Sequence, residues 1–275
     1  MNTQMMKNTY FIWILASFSI IFACKEFGNE NKTTDKNSFG RTKIDAVINE
    51  DTIKISDSLV VRYSSKLLWF PDLKNKKLLS EIYSGKEISD FSKKGLQSYF
   101  DKEKQEVFNK MSNSKAFSNV KQQQQWSYIS QMNVRMNRYS FVSVQYYSSR
   151  YEAENKVQYH YNEKVFDFKN QKKLELSDIL VLSEETIRRI LKLSLEKTTM
   201  MQQIKVYDRE AFKVLSKVNL PVSKNFYFDD SNLYFHYNMN EISRNYDIGD
   251  IILTISWEDL NGFIKPDFAE RMKIN

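Results

Sequence analysis

From Ile44 onward the apolar residues recur with two different periods, and the switches between them divide the chain into elements. Ile53 and Ile55, then Val60, Val61 and Tyr63, are bounded by Asp and Ser and predict strands or a hairpin. Leu78, Leu79, Ile82 and Tyr83 follow at the spacing of a short helix. A longer helix is predicted from about Ser92 to Met111, where Leu96, Tyr99, Phe100, Val107, Phe108 and Met111 form one stripe. Glu103 interrupts that stripe and is expected to be solvated or salt-bridged. The glutamines at 122–125 read as a loop or strand edge.

Period two returns at Trp126 and Tyr128. Val134, Met136, Tyr139, Phe141, Val142, Val144, Tyr146 and Tyr147 then predict paired antiparallel strands. Two more strands are expected over Val157, Tyr159 and Tyr161 and over Val165, Phe166 and Phe168. Ser183 is placed as a helix N-cap, with Glu184 and Glu185 in the favourable first turn. Ile187, Ile190, Leu191 and Leu195 give that helix a core face, and strands resume at Phe226. The order is strands, helices, strands, helix, strands. It predicts an α+β fold, antiparallel sheets with two or three helices packed on one face.

The first 24 residues follow another pattern. Tyr10 to Phe22 is an uncharged run of thirteen residues, which as a helix rises only about 20 Å against a hydrocarbon core of roughly 30 Å. It suits the apolar core of a signal peptide rather than a permanent span. Ile21, Ala23 and Cys24 resemble the lipobox of bacterial lipoproteins; Phe22 is bulkier than that pattern prefers. The resemblance implies cleavage after residue 23 and lipid on Cys24. Cys24 is the only cysteine, so the chain forms no internal disulfide, and a lipidated thiol is no liability outside the cell. Acyl chains at about 0.8 kcal/mol per buried CH₂ make such an anchor permanent. Lys25-Glu26 loosely resembles the export tag of surface lipoproteins in the Bacteroidetes group. That points to the outer membrane ahead of the inner and leaves the leaflet open. Residues 24–43 are polar, without period, and read as a flexible tether.

Composition adds limits. With 41% hydrophobic and 14% aromatic residues the body is not intrinsically disordered. Six glycines and three prolines leave the turns to Asn, Asp, Ser and Lys. The net charge of +7 is spread among 34 acids, so nucleic acid is not an expected partner.

Three stretches resemble the uncharacterised extracellular domain shared by the anti-sigma factor RsiV and the peptidoglycan deacetylase PdaC. They are Val165 to Leu180 with its Leu-Ser-Asp helix entry, the hairpin from Asn225 to Asn238, and Glu241 to Leu260 with Tyr246, Gly249 and Trp257. Val60 to Arg150 is faintly similar to the companion N-terminal domain of those proteins. The domains are accordingly read as signal peptide 1–23, tether 24–43, N-terminal α+β region 44–150 and RsiV-like C-terminal domain 151–275. The chain departs from the family at Glu152 to Asn155, where members carry a Gly-Gly-Ala-His turn. It departs again at Asn232, where members have a hairpin glycine and Asn, tolerant of positive φ, is expected to preserve the turn. Neither relative's headline activity carries over. The resemblance implies an extracytoplasmic domain that meets envelope components; in one relative it binds a lysozyme.

The side chains offer little chemistry. His160 and His236 are the only histidines, and with one cysteine they give no zinc spacing. In its strand His236 shares parity with Tyr234, and it is expected to be exposed or packed among tyrosines. No Gly-x-Ser-x-Gly and no phosphate loop occur. Asp229-Asp230-Ser231-Asn232 reads as a hairpin turn rather than a catalytic or cation pair. No metal or cofactor is expected, and no catalytic residue stands out. Tyr146, Tyr159, Tyr161, Tyr234 and His236 are the candidates to face a ligand, because aromatic rings anchor glycans and protein partners alike. The expected function is non-enzymatic binding of an envelope protein or cell-wall glycan by a lipid-anchored body. A cell-wall hydrolase working with carboxylates, or a purely structural component, remains the alternative.

Overall fold

The computed structural model describes residues 40–113, 122–152, 157–243 and 249–274. The apolar leader, Cys24 and most of the tether lie outside the described residues, as does Tyr246. Ser38–Asn275 form one unit by their contacts.

Six strands build the larger sheet, in the order β1 to β6: Asp45–Ser56, Leu59–Trp69, Gln124–Arg138, Phe141–Tyr151, Gln158–Asp167 and Lys172–Lys173. Each neighbouring pair is antiparallel except β2 and β3, which run parallel. The exception has a topological cause. Helices α1 (Lys76–Ile82) and α2 (Lys93–Ser112) intervene between the two strands, and a crossover of that length brings the chain back in its original direction. Where two strands were expected over 157–168 there is one, β5, paired to β4 without a break from Arg150↔Gln158 to Phe141↔Asp167. Asn162-Glu163-Lys164 supplies no turn, so the period continues through it.

Helix α2 begins on Ser92, whose hydroxyl accepts the Gly95 N–H at 3.0 Å. It buries Leu96, Phe100, Phe108 and Met111 against one face of the sheet. A second sheet of β7 (Phe226–Phe228), β8 (Asn232–Tyr237) and β9 (Ile251–Ser256) is antiparallel throughout. Five further helices pack around it: α3 (Leu176–Ile179), α4 (Glu184–Lys197), α5 (Thr199–Tyr207), α6 (Arg209–Leu215) and α7 (Pro266–Met272). Ser183 caps α4, which buries Ile187, Leu191 and Leu195. The α+β architecture agrees with the sequence pattern.

The β7–β8 turn differs in mechanism from the glycine-replacement expectation. Asn232 is not at positive φ; it opens β8. Asp229 makes the turn instead, its Oδ1 accepting the N–H groups of Ser231 and Asn232, each at 2.8 Å. Positive φ is used at the β3–β4 turn, where Tyr139 and Ser140 stand at 55° and 62° with no glycine between the strands. Neighbours hold this strained turn. Gly40 O accepts the Ser140 N–H at 2.9 Å, and Ser140 O accepts that of Phe168 at 2.9 Å. Gly40 itself has φ +54, and a Cβ there would lie 2.7 Å from Ser140 N. Gly40→Ala is therefore expected to lower stability by about 1–2 kcal/mol in chemical denaturation. An unchanged midpoint would contradict the packing at this point.

Candidate functional site

Strand alternation divides the aromatic residues of β4 and β5. Tyr147 and Tyr151 on β4 share a face with Tyr159 and Tyr161 on β5, since Tyr147 pairs with Tyr161 and Ser149 with Tyr159. Tyr146 points the other way, into the core under α1 and α2, and its hydroxyl donates to Ile82 O at 2.6 Å. It is half-buried with its hydroxyl turned inward, on the face of β4 opposite the other tyrosines, contrary to the ligand-facing expectation. Its neighbour Tyr147 takes that place.

On the tyrosine face the rings are stacked in a column. Tyr147 lies 5.0 Å from Tyr161, and Tyr161 lies 4.8 Å from His236 at an interplanar angle of 28°. Tyr159 meets Tyr161 edge-on at 5.8 Å. Burial, then the neighbouring Tyr147 and Asp250, raise the Tyr161 phenol above its ordinary range. At physiological pH it is a neutral donor.

His236 ends the column inside the protein, because β8 is buried on both sides. Phe235 and Tyr237 face the core, and His236 is covered by Tyr161. The His236 side chain is 2% exposed and the Glu163 side chain 0%. Glu163 Oε1 sits 3.2 Å from His236 Nδ1, accepts Gln145 Nε2 at 2.8 Å, and lies 3.6 Å from Arg135. On the far side, His236 Nε2 is 3.5 Å from Asp250 Oδ2, whose side chain is 35% exposed. Two carboxylates thus flank one imidazole. A hydrogen on Nδ1 lets the ring donate to Glu163, while Nε2 faces the carboxylate of Asp250. Glu163 Oε2 and His236 Nε2 are two of the three buried side-chain polar atoms left without a hydrogen bond among the described residues.

Two asparagines lock this centre to the second sheet. Asn238 accepts the Tyr161 N–H at 2.6 Å and donates to Tyr161 O at 2.9 Å. Asn225 donates to the same carbonyl at 3.1 Å and accepts the Glu163 N–H. Side-chain amides here stand in for a neighbouring strand, satisfying backbone groups on the free edge of β5.

Tyr234 shares the His236 face of β8 but serves the hairpin. It stacks on Tyr227 at 4.7 Å and donates to Asp229 Oδ2 at 2.7 Å. His160 is exposed on the opposite side of β5. Of the five candidates, the fold brings together Tyr159, Tyr161 and His236. Sequence reasoning missed Glu163, Gln145, Arg135, Asn225 and Asn238. Only the parity of Glu163 with Val165 hinted that this side of β5 is covered. Glu103 also departs from expectation. Its carboxylate is held by hydroxyls, with Tyr63 at 2.6 Å, Tyr99 at 2.7 Å and Ser65 at 3.2 Å. No cluster of three or more His, Cys, Asp or Glu suited to a metal occurs among the described residues.

No family model matches the sequence, and no curated protein matches it significantly. Among solved structures it is similar to a member of the DUF3298 family from Bacteroides fragilis, with a TM-score of 0.67 over 86% of this chain and 100% of that one at 16% identity. The fold is that of DUF3298 proteins. A DUF3298 protein from Pseudomonas aeruginosa is similar over 82% of this chain and 96% of its own, at 15% identity and a TM-score of 0.54.

Proposed function

We propose that this chain is a lipid-anchored protein of the cell envelope whose tyrosine face binds a protein or glycan partner without catalysis. The arrangement of Tyr147, Tyr151, Tyr159 and Tyr161 on one side of β4 and β5 carries the reading. Tyr161 is held from behind by the buried His236 and in turn packs against Tyr147 and Tyr159, a support that keeps the contact surface in one conformation and lowers the entropy cost of binding. A carboxylate hydrolase needs two acids facing a common space. Here the imidazole separates Glu163 from Asp250, and Glu163 is closed to any substrate.

The test uses the mature protein extracted from membranes, presented to peptidoglycan fragments and to envelope extract. Tyr147→Ala combined with Tyr159→Ala is expected to weaken capture at least tenfold, with an unchanged circular dichroism spectrum. Equal capture by wild type and double variant would move the site elsewhere. The anchor is tested separately, by palmitate labelling that Cys24→Ser abolishes.

A further inference from the structure

The two most exposed large apolar side chains among the described residues are consecutive: Val206 at 72% and Tyr207 at 86%. They end α5, and Asp208 then breaks the helix and caps α6 through the Ala211 N–H. Every residue from Lys205 to Glu210 is exposed. Val214, one turn into α6, is 48% exposed. This corner is held from below by the buried Met201, Ala211 and Leu215.

Cations surround the apolar pair in sequence: Lys205, Arg209, Lys213 and Lys217. Two acids lie among them, so residues 205–217 carry a net charge of +2. Asp208 accepts the capping N–H at 2.9 Å, and Glu210 pairs with Lys213 at 2.7 Å. Lys205 lies over the Phe212 ring at 5.6 Å, and Arg209 and Lys217 pair with no acid among the described residues. The cores of protein interfaces are depleted in lysine. Aromatic rings beside Lys and Arg are instead the composition that settles at membrane interfaces, and basic clusters add attraction to anionic headgroups.

We infer that the α5–α6 corner docks on an anionic lipid surface, with Val206 and Tyr207 entering the headgroup layer and the cations meeting phosphates. The inference rests on the lipid-anchor reading, since the anchor is what brings the body to a bilayer. It gives the protein a second contact with the membrane, distinct from the tyrosine face.

The experiment exploits the solitary cysteine. With Cys24 lipidated, Val206→Cys provides one free thiol for a polarity-sensitive fluorophore. In nanodiscs containing phosphatidylglycerol the label is expected to shift to the blue and to be shielded from an aqueous quencher. Neither effect is expected in phosphatidylcholine alone. Adding Lys205→Glu and Arg209→Glu is expected to abolish both. An unmoved emission, or an equal shift in the two lipids, would overturn the inference. So would a shift that needs added envelope protein instead of anionic lipid. Labelling of the wild-type protein would mean that Cys24 is unmodified, and the anchor reading alone would fail. The docking is then decided with Cys24→Ser,Val206→Cys and free vesicles, by the same outcomes.

Discussion

Arg271→Met is expected to cost about 3–5 kcal/mol of folding stability, the usual penalty for stranding one member of a buried ion pair. Arg271 on α7 grips Asp167 at the end of β5 with two parallel hydrogen bonds of 2.6 and 3.0 Å. Its guanidinium lies 3.9 Å from the centre of the Phe141 ring and also donates to Tyr139 O at 3.2 Å. The Asp167 side chain is 2% exposed. Burial alone would push its carboxyl up, but Arg271, together with the Asn170 N–H, outweighs that and holds it below the usual range. A depressed carboxyl contributes stability that is present above the ordinary unfolded value of about 4 and is lost as pH falls below it. Removing Arg271 leaves a carboxylate that acid can neutralise. The gap between wild type and Arg271→Met should therefore narrow as the pH is lowered through about 4. Urea melts at neutral and acidic pH measure it, and a gap independent of pH would refute the charge account. Pairing Arg271→Met with Asp167→Leu should recover part of the loss, because two apolar neighbours need no partner.

Glu163→Ala is expected to be nearly as costly, at about 3 kcal/mol, and to act on binding as well. The carboxylate serves Gln145 and His236; without it both are left buried and unmet, and the ring under Tyr161 loses its support. Glu163→Gln keeps an acceptor oxygen for both donors and should lose at least 1 kcal/mol less. Combined with His236→Ala, a double-mutant cycle should return a coupling of about 1–3 kcal/mol between the two residues. Additivity within about 0.5 kcal/mol would mean that the pair is not a unit. Ligand capture by Glu163→Gln should stay close to wild type, separating the loss of support in the alanine variant from any direct role in contact.

Local patterns in the sequence were enough for the elements whose causes are local. The stripe from Leu96 to Met111 lies on α2 and Ser183 caps α4, because helical period and capping act within a few residues. The turn at Asp229 was legible too, though its mechanism is an Asx turn rather than a positive φ at Asn232. What escaped has partners far away in sequence. Glu163 pairs with His236 across 73 positions and Arg271 with Asp167 across 104. A polar residue on a strand reads as solvent-facing until another element is known to cover it, which is why Glu163 and Gln145 passed unnoticed. The tyrosine face was half visible. Alternation separates Tyr146 from Tyr147, yet nothing in the period tells which side the helices take.

The turn at Tyr139 and Ser140 has a consequence for how the protein comes into being. Gly40 near the start of the body, Phe168 in the middle and Arg271 near the end all bind that one turn. A ribosome delivers these segments in order, and the guanidinium that accompanies the strained residues is 132 positions behind Tyr139. The turn therefore lacks its last clasp until the segment around residue 271 has been added. Protease sensitivity around residues 139–140 should persist in truncated chains ending before residue 271 and disappear in chains that include it.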